Sequence, residues 1–163
     1  MKKVKTIFPK ITFILLLAVL LSSCSKDEDI TNTSDFYLTA KIDGEDFTAD
    51  PKNTLVSFDP MNTQIFTITG INNSGARITL TLPYPSPDPI GTFDTYFDEN
   101  IFMSYVSPFV DIWGASESSS FGQITISKNN NEFVEGEFFF TGSHPTKTET
   151  IEITNGIFRA KKL

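Results

Sequence analysis

From Asp35 onward the chain alternates apolar and polar residues in short runs, separated by clusters of Gly, Asn, Asp and Pro. A period of two puts successive side chains on opposite faces of a strand, and the turn-forming clusters mark where strands stop. The run 76–82 shows this most clearly, with Ile78, Leu80 and Leu82 on one face and Arg77, Thr79 and Thr81 on the other. The same pattern predicts strands over 36–42, 45–49, 54–58, 63–71, 122–128 and 133–141. Ile124 and Ile126 share a face, and Val134, Phe138 and Phe140 point opposite to Glu135 and Glu137. A strand over 148–155 turns Ile151 and Ile153 inward, and Gly156 permits a bulge before Ile157 and Phe158.

The intervening residues fit as turns. Asp43-Gly44 tolerates the positive φ angles of a two-residue type I′ hairpin. Asn72-Asn73-Ser74-Gly75, Asn129-Asn130-Asn131-Glu132 and Gly142-Ser143-His144-Pro145 separate other runs. Two stretches break the pattern. Residues 83–89 carry proline at alternate positions, which removes ladder donors and predicts an extended loop or edge. Residues 90–114 are aromatic and irregular, and here strands are expected over 101–106 and 109–113. No window supports a long amphipathic helix. The expected fold is all-β, a single antiparallel β-sandwich over 35–163, with barrel-like closure as the alternative.

The first 34 residues follow other rules. Lys2, Lys3, Lys5 and Lys10 precede an apolar run from Ile11 to Leu21, as in a secretory signal. About 11 apolar residues are too few to span a bilayer core, which needs roughly 20. The run closes in Leu21-Ser22-Ser23-Cys24, which resembles the bacterial lipobox. That resemblance implies cleavage after residue 23 and acylation of Cys24, the only cysteine in the chain. Several acyl chains would hold the protein stably in a bilayer, where a single chain binds only marginally. Residues 24–34, charged and then small and polar, are expected to form a flexible tether. Lys26-Asp27-Glu28 also resembles the signal that follows the acylated cysteine in lipoproteins displayed by Bacteroidetes-type bacteria. It implies an outer-membrane protein facing the cell surface.

All 20 acidic residues lie beyond residue 23, while four of the 13 basic ones lie within the leader, so the net charge of 24–163 is 9 − 20 = −11. A chain so acidic repels phosphate backbones, and nucleic acid is excluded as an expected partner.

Four short segments together resemble a family of uncharacterised Bacteroidetes surface lipoprotein domains. They are Ala40-Lys41-Ile42-Asp43-Gly44-Glu45-Asp46-Phe47-Thr48-Ala49, Gly91-Thr92-Phe93, Gly136-Glu137-Phe138-Phe139-Phe140 and Ile153-Thr154-Asn155-Gly156-Ile157-Phe158. The resemblance implies a compact β domain on a lipid anchor and brings no catalytic residue.

Candidate chemistry is sparse. His144, the single histidine, sits in a turn sequence, and no nucleophile-elbow pattern accompanies it. Zinc prefers His and Cys ligands, of which the domain has one. Asp94, Asp98 and Glu99 offer hard oxygen ligands suited to calcium, without the spacing of an EF-hand loop. Tyr84, Tyr96 and Trp113 could build an aromatic platform for a glycan or an apolar peptide, with Tyr84 and Trp113 the expected exposed members. The expectation is therefore a non-catalytic binding or accessory domain, its partners a bilayer through Cys24 and a glycan, peptide or envelope protein. Two alternatives stand beside it. One is an assembly role through a sheet edge or the face bearing Phe139, and the other is a hydrolase using carboxylates such as Asp94 and Asp111.

Overall fold

The computed structural model describes residues 35–58, 65–83, 90–96, 100–118 and 120–163. Among the described residues are eleven strands: β1 (Tyr37–Ile42), β2 (Glu45–Thr48), β3 (Thr54–Phe58), β4 (Ile65–Ile71), β5 (Arg77–Pro83), β6 (Gly91–Asp94), β7 (Phe102–Val106), β8 (Ile112–Ala115), β9 (Gly122–Asn129), β10 (Phe133–Ser143) and β11 (Thr150–Lys162). A 3₁₀ turn at Pro51–Asn53 is capped by Asp50, whose carboxylate accepts the Lys52 N–H. The fold is all-β, as the alternation predicts.

Local chemistry fixes the turns. Asp43 and Gly44 both have positive φ, 49° and 89°, so β1 and β2 form the expected type I′ hairpin. The Asn72 side-chain oxygen accepts the N–H groups of Ser74 and Ala76 and folds the β4–β5 connection back on itself.

The strand order is β2-β1-β11-β3-β4-β5-β7-β8-β10-β9-β6, and β10 also pairs with β11. That extra pairing closes a ring of seven strands: β11, β3, β4, β5, β7, β8 and β10. Two long strands make the corners. β11 pairs with β1 along residues 153–159 and then, in parallel, with β3 at Lys161 and Lys162. β10 pairs with β9 along residues 134–140 and then with β8 at Ser143. Six strands (β2-β1-β11-β10-β9-β6) thus face five (β3-β4-β5-β7-β8) across one core, as in a sandwich, but both sides of the five-stranded layer are hydrogen-bonded to the six-stranded one. The closure weighed against an open sandwich is present.

The register shows how the ring closes. Lys161 pairs with Leu55, and successive partners are Thr69, Thr79, Ser104, Gly114 and Ser143, which returns to β11 at Thr150. One circuit therefore slips from residue 161 to residue 150 along β11, the stagger that tilted strands require for closure. Among the described residues only β2 and β6 end the strand order, and each has four residues.

β11 changes the parity of its buried face midway. Ile151 and Ile153 are buried before the bulge, Phe158 and Ala160 after it. Asn155, with φ 52°, is the extra residue on this strand against both β1 and β10. A Cβ at the adjacent Gly156 would lie 2.6 Å from the Phe138 ring, so the close approach needs glycine there. The core between the layers includes Phe66, Phe140, Phe158, Ile78, Leu80 and Ile124, each at most 1% exposed. These are the inward positions of the alternating runs.

Two expectations in the irregular stretch are corrected. Residues 109–113 do not form one strand: β8 is Ile112–Ala115, and Phe109 and Val110 belong to the turn before it. Gly91–Asp94 is an additional strand, paired with β9 at the edge of the six-stranded layer.

Candidate binding site at a corner of the barrel

β10 leaves β9 and meets β8 through the pair Ser143 and Gly114, and the next residue, His144, opens the loop to β11. The His144 N–H donates to the Glu149 carbonyl and closes that loop. Its ring Nδ1 accepts the backbone N–H groups of Thr146 and Lys147, both at 3.2 Å. These two donors leave the ring proton on Nε2, which lies 3.4 Å from the Asp111 carboxylate. The Thr146 hydroxyl is 3.4 Å from Nδ1, a lone pair already used by the backbone. Lys147 Nζ approaches the same Asp111 oxygen at 3.0 Å. The Lys147 hydrogen bond and charge, helped by His144, outweigh desolvation and hold the Asp111 carboxyl below its ordinary range.

Beneath this polar rim lies an aromatic stack. Trp113 stacks on Tyr105 with ring centres 5.9 Å apart and meets His144 edge-on at 5.5 Å. Burial, and secondarily the Asp43 charge, raise the Tyr105 pKa above its usual value. The Trp113 indole N–H is buried and finds no acceptor among the described residues.

Outside the stack is a largely apolar cleft of about 380 Å³, lined by Phe102, Ile112, Gly114, Ser143, His144 and Pro145. Gly114 forms its floor, because a Cβ there would sit 2.9 Å from the Phe102 ring that lies across β8. The volume falls in the range of small-ligand pockets.

The β7–β8 turn next to the cleft is both rigid and apolar. Ser107 donates its N–H to the Asp111 carbonyl, and its own carbonyl accepts the Val110 N–H. The Ser107 hydroxyl oxygen accepts the N–H groups of Phe109 and Asp111. This network holds Val110 at φ 72°, in a region where a β-branched residue is a rare outlier. Phe109 is 89% exposed and Val110 74%. A strained backbone that displays two apolar side chains to water costs stability twice, and such strain concentrates where function requires it.

The sequence-predicted residues scatter. Trp113 packs against the core and supports the cleft from behind, rather than standing exposed. Tyr96 is 66% exposed, in the turn after β6, where the Asp94 carboxylate accepts its N–H. It lines a separate hollow of about 260 Å³ with Ser116, Glu117 and Phe121. Among the described residues no three His, Cys, Asp or Glu side chains come together as a metal site. Cys24, Tyr84, Asp98 and Glu99 lie outside the described residues. Phe102, Phe109, Val110 and Ile112 carry the site's exposed apolar surface, and alternation alone did not single them out. The signal available was Ser107-Pro108, a turn-forming pair directly before Phe109.

The domain is thus an all-β ring with an apolar cleft and a displayed aromatic tip at one corner. The chain belongs to a family described as a domain of unknown function (DUF6252), whose model matches residues 34–160. No curated protein and no solved structure matches it.

Proposed function

We propose that this chain is an outward-facing outer-membrane lipoprotein of the Bacteroidetes kind, anchored through acylated Cys24. In this reading its domain, 35–163, is a non-catalytic binding module whose partner seats at the His144 corner. The carrying observation is the rigid turn that exposes Phe109 and Val110 beside the Phe102–Ile112 cleft. Buried aromatic anchors in desolvated pockets dominate recognition energies, and a preorganised turn loses little entropy on binding. A protein or peptide with an apolar anchor suits this surface best.

The histidine geometry argues against His144 as a general base. Both ring nitrogens are engaged, Nδ1 by backbone donors and Nε2 toward Asp111, so no lone pair is left to take a nucleophile's proton. The four-residue edge strands disfavour assembly by strand addition.

The test is a pull-down and peptide-array screen with the full acylated chain, run with and without millimolar calcium, comparing wild type with Phe102→Ala and Phe109→Ala. Saturable binding that falls at least tenfold in both variants supports the module. Binding that survives both substitutions places recognition elsewhere and refutes the corner as the site. Calcium dependence would instead implicate the Asp94, Asp98 and Glu99 segment.

A further inference from the structure

A second surface lies on the outer face of the six-stranded layer. Where β11 bulges at Asn155, the face dips between β9 and β11, and two hollows of about 410 and 310 Å³ share Thr125, Glu137 and Ile157. They form one trough along β10. It reaches from Phe139 to Glu135, roughly 13 Å at a strand rise of about 3.3 Å per residue. One bank offers Gln123, Thr125 and Ser127 from β9, and the other offers Asn155 and Ile157 from β11. Phe139, 42% exposed, closes one end with Phe121, their ring centres 5.7 Å apart. Glu135 at the other end is held by Arg159, with 2.6 Å between Nε and the carboxylate. Glu137, in the middle, has no ion-pair partner among the described residues.

We propose that this trough binds a neutral glycan chain. Four observations select that occupant. The trough is a sheet face, and away from the bulge at Asn155 the β10 backbone is paired with β9 on one side and β11 on the other. An extended peptide, which is recognised through backbone groups at a sheet edge, gains little there. The banks instead supply hydroxyl, amide and carboxylate side chains, the groups that bond to sugar hydroxyls. The exposed Phe139 ring supplies the apolar plane against which the C–H face of a sugar packs. The uncompensated Glu137 carboxylate, on a chain of net charge −7, repels uronates and phosphates and selects a neutral chain. This site is independent of the His144 corner, and either assignment can fail without the other.

The experiment is calorimetric titration of the full chain with maltohexaose, cellohexaose, xylohexaose and mannohexaose, alongside hexagalacturonate and a neutral Gly-Ser-Phe decapeptide. Phe139→Ala, Glu137→Gln and Phe102→Ala are titrated in parallel, with melting curves to confirm that each folds. The expected result is saturable binding of at least one neutral hexasaccharide, weakened at least tenfold by Phe139→Ala and about fivefold by Glu137→Gln. Phe102→Ala leaves it unchanged, and hexagalacturonate is silent. The proposal is overturned if no neutral hexasaccharide binds at millimolar concentration, if binding survives both trough substitutions, or if only the acidic glycan or the peptide binds.

Discussion

Replacing Val110 by Asn is expected to stabilise the protein while weakening partner binding. Val110 holds φ 72° in the turn between β7 and β8. The left-handed region costs an L-residue roughly 1–2 kcal/mol, and Asn, whose short polar side chain bonds locally, visits it far more readily. The opposing loss is small. Val110 is 74% exposed, so about a quarter of its side chain is covered, and full burial of a valine contributes only about 1.5–2 kcal/mol. That leaves a loss near 0.4 kcal/mol against a gain near 1. The net is a stabilisation of about 0.5–1 kcal/mol, a rise of roughly 2–5 °C in Tm for a domain of this size. Urea denaturation with the slope m held common gives the number. A loss of stability would refute the argument, since it would mean that the turn is unstrained or that Val110 packs against something that matters more.

Other expectations follow from the same geometry. Phe140→Ala empties a site 1% exposed between the two layers and should cost about 3–5 kcal/mol in chemical denaturation. Gly136→Ala drives a Cβ into the Thr125 carbonyl oxygen and against the Phe158 ring, and should cost about 1–3 kcal/mol by the same assay. Asp111 has a depressed pKa in the folded chain. Its contribution is therefore complete above the unfolded carboxyl value of about 3.9 and is lost as pH falls through the folded value, because the unfolded chain takes the proton first. Melting curves from pH 2 to 6 should accordingly show a shallower acid-side decline in Asp111→Asn than in wild type.

Most strands were legible because each runs at a period of two with one buried face. Ile78, Leu80 and Leu82 show it in β5, and all three are buried. The β1–β2 hairpin was legible for a different reason: only a few residue pairs accept two positive φ angles, and Asp43-Gly44 is one of them. Ring closure was not legible, because alternation says which side chains point inward and nothing about which strands become neighbours. It rests on β10 and β11 being long enough to serve two partners on one edge. That length was hidden because the bulge at Asn155 breaks the parity of β11 and makes one strand read as two shorter ones. The corner site was obscured by the sequence Phe109-Val110. Both residues favour strands, and local propensity pointed to a strand where Ser107 and its hydrogen bonds impose a turn. Trp113 was expected to stand exposed because large aromatics on irregular stretches often do, yet its partners Tyr105 and His144 come from β7 and the loop that follows β10.

The most direct test of the account is photo-crosslinking in intact cells, with benzoylphenylalanine placed at Phe109 of the full chain and, as a control, at exposed Glu132 before β10. The expected result is a discrete crosslinked protein from position 109 that is absent from position 132 and diminished by Phe102→Ala. Equal labelling at both positions, or none at position 109, would contradict it.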